Sequence, residues 1–223
     1  MSMMALGVLY GSTSSCCLVK VSSRQKETSS TSGMQDSVNT SKLLRHRAKE
    51  IVPGVILEMR KAIQDRDFAT FARICCADSN QFHATCLDTS PPIFYLNDTS
   101  KRIISMVERW NKAKGTLQAA YTFDAGPNAV LFVPSKAKAC ELLSRLLYYF
   151  PPAADKKVKS YVIGDVDTLP FEKVDCSFKP HEAEGTNVTQ SFGELDYILC
   201  TRPGEGPLVL KDHLVNPCTG LPL

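Results

Sequence analysis

No run of apolar residues in this 223-residue sequence is long enough to cross a bilayer, which takes about 20. No membrane partner is expected. The opening MSMMALGVLYGSTSSCCLVK is mildly apolar but has no basic leading region, so it makes a poor secretory signal. The formal charge of +3 is too small to argue for a nucleic-acid partner; it is compatible with an anionic small substrate without implying one. There is no Cys-x-x-Cys, and the four histidines are scattered, so no metal site is expected. Gly-x-x-x-x-Gly-Lys-Ser/Thr, Gly-x-Gly-x-x-Gly and Gly-x-Ser-x-Gly are all missing. Gly11-Ser-Thr-Ser-Ser15 is only superficially like a phosphate loop, with no convincing apolar strand leading into it. The nine cysteines are odd in number and include two adjacent pairs, Cys16–Cys17 and Cys75–Cys76. They read as reduced, mostly buried thiols of an intracellular protein rather than a disulfide framework. In that setting Asn97-Asp-Thr and Asn187-Val-Thr match the glycosylation pattern by chance.

What is present is globular: 43% hydrophobic and 22% charged residues, enough for one substantial domain or two small ones. A short strand is expected at Leu18–Ser22, followed by a Ser/Thr-rich polar loop over Lys26–Ser41 that leads into a helix. Helical apolar stripes then run from Leu43 to Ile63, interrupted or restarted at Pro53, from Phe68 to Cys86, from Ser100 to Trp110 and from Cys140 to Phe150. Between the last two lies a hairpin. A late strand is expected at Leu195–Thr201, with Leu208–Leu210 as its hairpin partner. Residues 153–192 are polar and weakly periodic and read as a surface excursion, partly disordered. Helices clustered before and between antiparallel strands imply an α+β layer fold.

The hairpin is the most informative segment. Tyr121-Thr-Phe-Asp-Ala-Gly-Pro-Asn128 ends a short apolar run on an aspartate and turns at once. Strand alternation puts Asp124 with Ala120 and Thr122, on the face away from Tyr121 and Phe123. Gly126 and Pro127 make the turn tight and stiff, which suits a carboxylate that does chemistry, although turn aspartates are common. In Asp78-Ser-Asn-Gln-Phe-His-Ala-Thr-Cys-Leu-Asp88, Asn80 and His83 are three apart and share a helix face. That face is a candidate cleft wall; spacing alone favours an ordinary helix surface with one satisfied histidine. Ser29-Ser30-Thr31-Ser32-Gly33, just before a helix, offers hydroxyls and backbone N–H groups to an anion, or serves simply as a solvated linker.

Four stretches together resemble one family, diphosphomevalonate decarboxylase of the GHMP kinase superfamily: SSTSGMQDSVNTS (29–41), DSNQFHATCLDTSPPIFYLND (78–98), AYTFDAGPNAV (120–130) and the ending RPGEGP…TGLPL. The likeness runs from about Val21 to Leu223, in the same order and spacing, and is nearest the plant version. It implies a GHMP-type, ferredoxin-like C-terminal domain over 21–223: α+β, an antiparallel sheet with helices packed on one side. Residues 1–20 are left as an unmatched leader. The family's N-terminal half carries an ATP-cradling loop and a carboxylate-holding arginine, and neither is recognisable here, so the chain alone is expected to be inactive.

The resemblance implies ATP- and Mg²⁺-dependent decarboxylation of mevalonate diphosphate to isopentenyl diphosphate, in isoprenoid and sterol biosynthesis. It makes Asp124 the catalytic aspartate and gives Ser30 and Thr31 contacts with the substrate diphosphate or carboxylate. Gly126, Pro127 and Asn128 shape the turn, and Asn80 and His83 support the cleft. Aspartate is a weak base, so Asp124 orients the tertiary hydroxyl or takes its proton from a site that raises its affinity for it. A homodimer and a cytoplasmic location are further expectations, with a peroxisomal one as the alternative. Two other functions stay open: a non-enzymatic dimerising fragment that modulates full-length subunits, and a related small-molecule kinase.

Overall fold

The computed structural model describes residues 15–21, 29–164, 174–175, 177–180, 184, 190–201, 215–216, 218–219 and 221. Among the described residues five strands form one sheet: β1 (Ser15–Lys20), β2 (Ala120–Phe123), β3 (Ala129–Val133), β4 (Val162–Gly164) and β5 (Tyr197–Thr201), in the order β2-β3-β1-β5-β4. The described helices are α1 (Ser30–Thr40), α2 (Lys42–His46), α3 (Val52–Gln64), α4 (Phe68–Asp88), α5 (Asp98–Lys114), α6 (Lys136–Tyr149) and α7 (Val158–Tyr161).

The two apolar runs around the 124–128 turn pair antiparallel as β2 and β3, with Phe123 opposite Ala129 and Ala120 opposite Phe132. β1 inserts between β3 and β5, antiparallel to both. Without β4, the path β1–α5–β2–β3–α6–β5 is a split βαβ arrangement, the ferredoxin-like plan. Alternation along the strands turns Tyr121, Phe123, Leu131 and Val133 to one side, where they meet Ile103, Val107 and Trp110 of α5 and Leu142, Leu143 and Leu146 of α6. The expected α+β class is what the chain adopts, with α5 and α6 against this side of the sheet. The remaining helices α1–α4 form an insertion between β1 and α5. A second core, from Met59, Ile63, Phe71 and Ile74, packs α3 and α4 against Ala120 and Phe132.

Several boundaries differ from the sequence reading. β1 begins at Ser15 and is a central strand, inside the stretch left as an unmatched leader; β5 starts at Tyr197. Among the described residues, the strand at this edge of the sheet is β4. β4 lies parallel to β5, with Val162 opposite Ile198. The suggested partner at 208–210 lies outside the described residues. Residues 153–192 read as a surface excursion, yet this stretch contains β4, and Val174 and Glu184 are buried. A three-residue strand carries no period, and the glutamate hides its charge against an arginine, so neither announces burial. The Leu43–Ile63 stripe does restart near Pro53, which sits in the first turn of α3, where its missing N–H leaves no bond unmade. A π-helical stretch, Arg47–Ile51, joins α2 to α3.

Local chemistry sets the helix ends. The Asp67 side chain caps α4 by accepting from Thr70 N–H. Asn97 and Ser100 form a capping box at the start of α5, which gives Asn97 a structural task. Gly115, with φ 67°, closes α5 in the left-handed conformation.

Helix α4 covers the outer edge of β2, where unpaired backbone groups would otherwise face out. Tyr121 N–H donates to Cys76 Sγ (3.4 Å), Phe123 N–H donates to Ser79 Oγ (3.0 Å), and Cys75 Sγ donates to the Tyr121 carbonyl (3.6 Å). Burial pushes the Cys75 thiol up to about 12, so it stays protonated and serves as a donor, not a nucleophile. Cys75, Cys76, Cys86 and Cys218 are in no disulfide. Ser79→Ala should strand the buried Phe123 N–H and lower stability by roughly 1–3 kcal/mol, read from urea denaturation.

Candidate active site

Asp124 stands exposed where β2 ends. The turn after it is held from three directions. Gly126 N–H donates to the Asp124 carbonyl (2.7 Å), so the sharpest step is centred on Ala125. Ser100 Oγ, from the cap of α5, donates to the Pro127 carbonyl (2.9 Å). Val21 N–H, at the end of β1, donates to Asn128 Oδ1 (3.0 Å). Pro127 and Asn128 therefore tie the turn to a helix and to the central strand, and Gly126 contributes its N–H to the tight step.

The Ser/Thr segment is not a loop. Ser30 and Thr31 are the first residues of α1, both exposed, and Ser29 is its N-cap, accepting from Ser32 N–H (3.1 Å). A helix start presents unpaired N–H groups and the positive end of the helix dipole, and the first turn of α1 carries no acidic residue. The hydroxyls of Ser30 and Thr31 add neutral donors at the same place.

One small apolar cluster joins these two features. Cys86, Ile93 and Tyr95 pack together, with Phe82 and Ala125 against them. The Tyr95 ring stacks parallel on Phe82, and its hydroxyl donates to the Ser29 carbonyl (3.3 Å). The residue after Asp124 and the cap of α1 thus both rest on the Tyr95 cluster. Tyr95, Ser79 and Ser100 all act on the site. The sequence reading did not single them out, although Ser79 and Tyr95 lie within one of the recognised stretches.

Asn80 and His83 do share a face of α4, but they meet different groups. The Asn80 amide engages the Tyr121 hydroxyl (3.1 Å from Nδ2), away from Asp124. His83 is buried, edge-on to Phe82 and Phe123. Burial holds its pKa below the ordinary 6.5, with the Phe123 backbone and the Asp124 carboxylate working against that shift. Its Nε2 has no hydrogen-bond partner among the described residues. A group depressed in the folded state stabilises most above its unfolded value. His83 should therefore support stability fully above about pH 6.5 and lose that contribution as the pH falls. Urea midpoints should drop between pH 7 and pH 5, and His83→Asn should flatten the slope.

A larger cavity, about 500 Å³, lies where α3 and α4 meet Thr122 and Phe132, and neither Asp124 nor Ser30 and Thr31 line it. Its walls are mostly apolar; Arg47, at its side, is paired with Asp78 (2.5 Å) and Gln81 (2.6 Å). Among the described residues, no group of three or more His, Cys, Asp or Glu is placed to hold a metal ion. No described helix is long and apolar enough to cross a membrane.

A family model for the mevalonate 5-diphosphate decarboxylase C-terminal domain matches residues 16–210. The chain belongs to that family. The diphosphomevalonate decarboxylase of Rattus norvegicus is 47% identical over 210 residues, covering 92% of this chain and 49% of the relative. The mevalonate diphosphate decarboxylase structure from Trypanosoma brucei superposes with a TM-score of 0.75 at 30% identity, covering 91% of this chain and 51% of that one. A third structure, MDDEF in complex with MVAPP, AMPPCP and magnesium, matches with a TM-score of 0.57 at 26% identity, over 63% of this chain and 42% of that one. The chain spans about half the length of the curated relatives it matches. The decarboxylase match begins at residue 16, within β1, so the central strand belongs to the family domain.

Proposed function

We propose that this chain supplies the acceptor-substrate side of ATP-dependent mevalonate diphosphate decarboxylation, the step that yields isopentenyl diphosphate for isoprenoid synthesis. The observation that carries it, in a chain of this family, is an exposed carboxylate on a braced turn that shares the Tyr95 cluster with the start of a hydroxyl-rich helix. The substrate suits that pair. Its diphosphate is an anion for the first turn of α1, where Ser30 and Thr31 donate. Its tertiary alcohol is a poor nucleophile, and Asp124 orients the hydroxyl and accepts its proton as the phosphoryl group arrives.

An ATP analogue and magnesium bound in a family structure support nucleotide dependence. Magnesium would come with the nucleotide phosphates, and this chain's part is to bind and orient the alcohol. Loss of phosphate and carbon dioxide then follows from the phosphorylated tertiary centre. Pairing of two subunits and a cytoplasmic site of action belong to the same proposal and rest on family membership.

The test joins this chain to the N-terminal half of the rat relative. The chimera should release carbon dioxide from mevalonate diphosphate with ATP and Mg²⁺, and the chain alone, which spans about half the length of its relatives, should not. A folded chimera that binds mevalonate diphosphate without releasing carbon dioxide would count against the proposal. Turnover by the isolated chain would overturn the expected division of labour.

A further inference from the structure

We infer that His83 is a positioning residue: its ring holds the Phe123 backbone and so fixes the direction in which Asp124 leaves β2. Three observations converge on it. Its ring packs against Phe123, the last residue of β2 before Asp124, and a hydrogen bond with the Phe123 backbone favours its charged form. One turn earlier on the same helix, Ser79 Oγ accepts from Phe123 N–H, so α4 grips Phe123 at two points. The ring lies edge-on to both Phe82 and Phe123, which leaves it little freedom to rotate.

The protonation state matters to this role. A ring nitrogen that donates to the Phe123 carbonyl leaves Nε2 bare, and Nε2 is buried without a partner among the described residues. Asp124 is close enough for its charge to act on the ring. The other titratable groups around this cluster, Cys86 and Tyr95, are pushed up by burial and stay uncharged near neutral pH. A cationic histidine beside Asp124 would weaken the carboxylate as a base. An uncharged ring orients it without that penalty. The arrangement is therefore suited to holding a carboxylate whose proton affinity must not be lowered.

The catalytic consequence rests on the decarboxylase proposal; the positional one does not, and the experiment separates them. In the isolated, isotopically labelled chain, the His83 ring is titrated by NMR with and without Asp124→Asn. The midpoint should fall in the Asp124→Asn variant, because the carboxylate charge that favours the cation is gone. An unchanged midpoint would overturn the inference, since the ring would then not face Asp124.

Two substitutions test the hydrogen bond. His83→Asn keeps a donor near the position of Nδ1, whereas His83→Leu fills space without one. Backbone carbon shifts at 123–126 should stay near wild type in His83→Asn and move in His83→Leu. In the chimera, kcat should fall about 10- to 100-fold for His83→Leu with KM little changed, and His83→Asn should restore most of it. Equal effects of the two substitutions, on shifts or on kcat, would show a packing role only. If the wild-type chimera is inactive the decarboxylase proposal fails, while the titration and shift measurements still decide the role of His83. If His83→Leu does not fold, the Asp124→Asn titration decides it alone.

Discussion

Asp124→Asn in the chimera should reduce carbon dioxide release by about 10²–10⁴-fold, the range for loss of a general base or acid. KM for mevalonate diphosphate should change little, because the lost interaction strengthens only as the hydroxyl proton moves. The thermal midpoint should hold. Asp124 is exposed, and the bonds that brace its turn come from the backbone of Asp124 and Gly126, from Ser100 and from Val21. An amide of the same shape disturbs none of them. A variant that folds and keeps wild-type turnover would remove Asp124 from the reaction; one that unfolds would mean that the carboxylate is structural.

The second large effect is on stability and lies far from Asp124. Arg145 of α6 and Glu184 form a bidentate pair, Nη2 to Oε1 at 2.6 Å and Nε to Oε2 at 3.1 Å, with side chains 5% and 4% exposed. The guanidinium lies over Trp110 (4.2 Å from the ring centroid) and Phe178 (4.7 Å). It thus ties Glu184 to the middle of the core. Glu184→Ala leaves a buried cation without its partner and should cost about 3–5 kcal/mol. Replacing both residues by apolar ones of similar volume should cost far less, because the attraction and the desolvation it offsets disappear together. Urea denaturation of the single and double variants measures both. A single variant within 1 kcal/mol of wild type would show that water reaches Arg145.

The Asp124 turn could be read from the sequence because short apolar runs with Gly-Pro-Asn between them permit little besides a hairpin. The stripes that became α3 to α6 were legible because their apolar spacing matches helical pitch. α1 was not, since Ser30–Thr40 carries no apolar stripe. Its helix is set by the Ser29 cap and by hydrogen bonds from outside, such as Ser37 to Thr89 (2.8 Å) and Ser90 N–H to Thr40 (2.9 Å). β1 was placed three residues late because its partners, β3 and β5, lie more than a hundred residues away. Helical spacing put Asn80 and His83 on one face, but it could not show that Asn80 reaches Tyr121 while His83 reaches Phe123. The link through Tyr95 was invisible for the same reason: it joins Ser29, Phe82 and Ala125, which only the fold brings together.

The most direct measurement is a crystal structure of the chimera with mevalonate diphosphate bound. The proposal expects an Asp124 carboxylate oxygen within hydrogen-bond reach of the tertiary hydroxyl, about 2.6–3.2 Å, and the anionic end of the substrate at Ser30 and Thr31. A substrate bound with its hydroxyl facing other residues, or seated in the cavity beside Arg47, would contradict it.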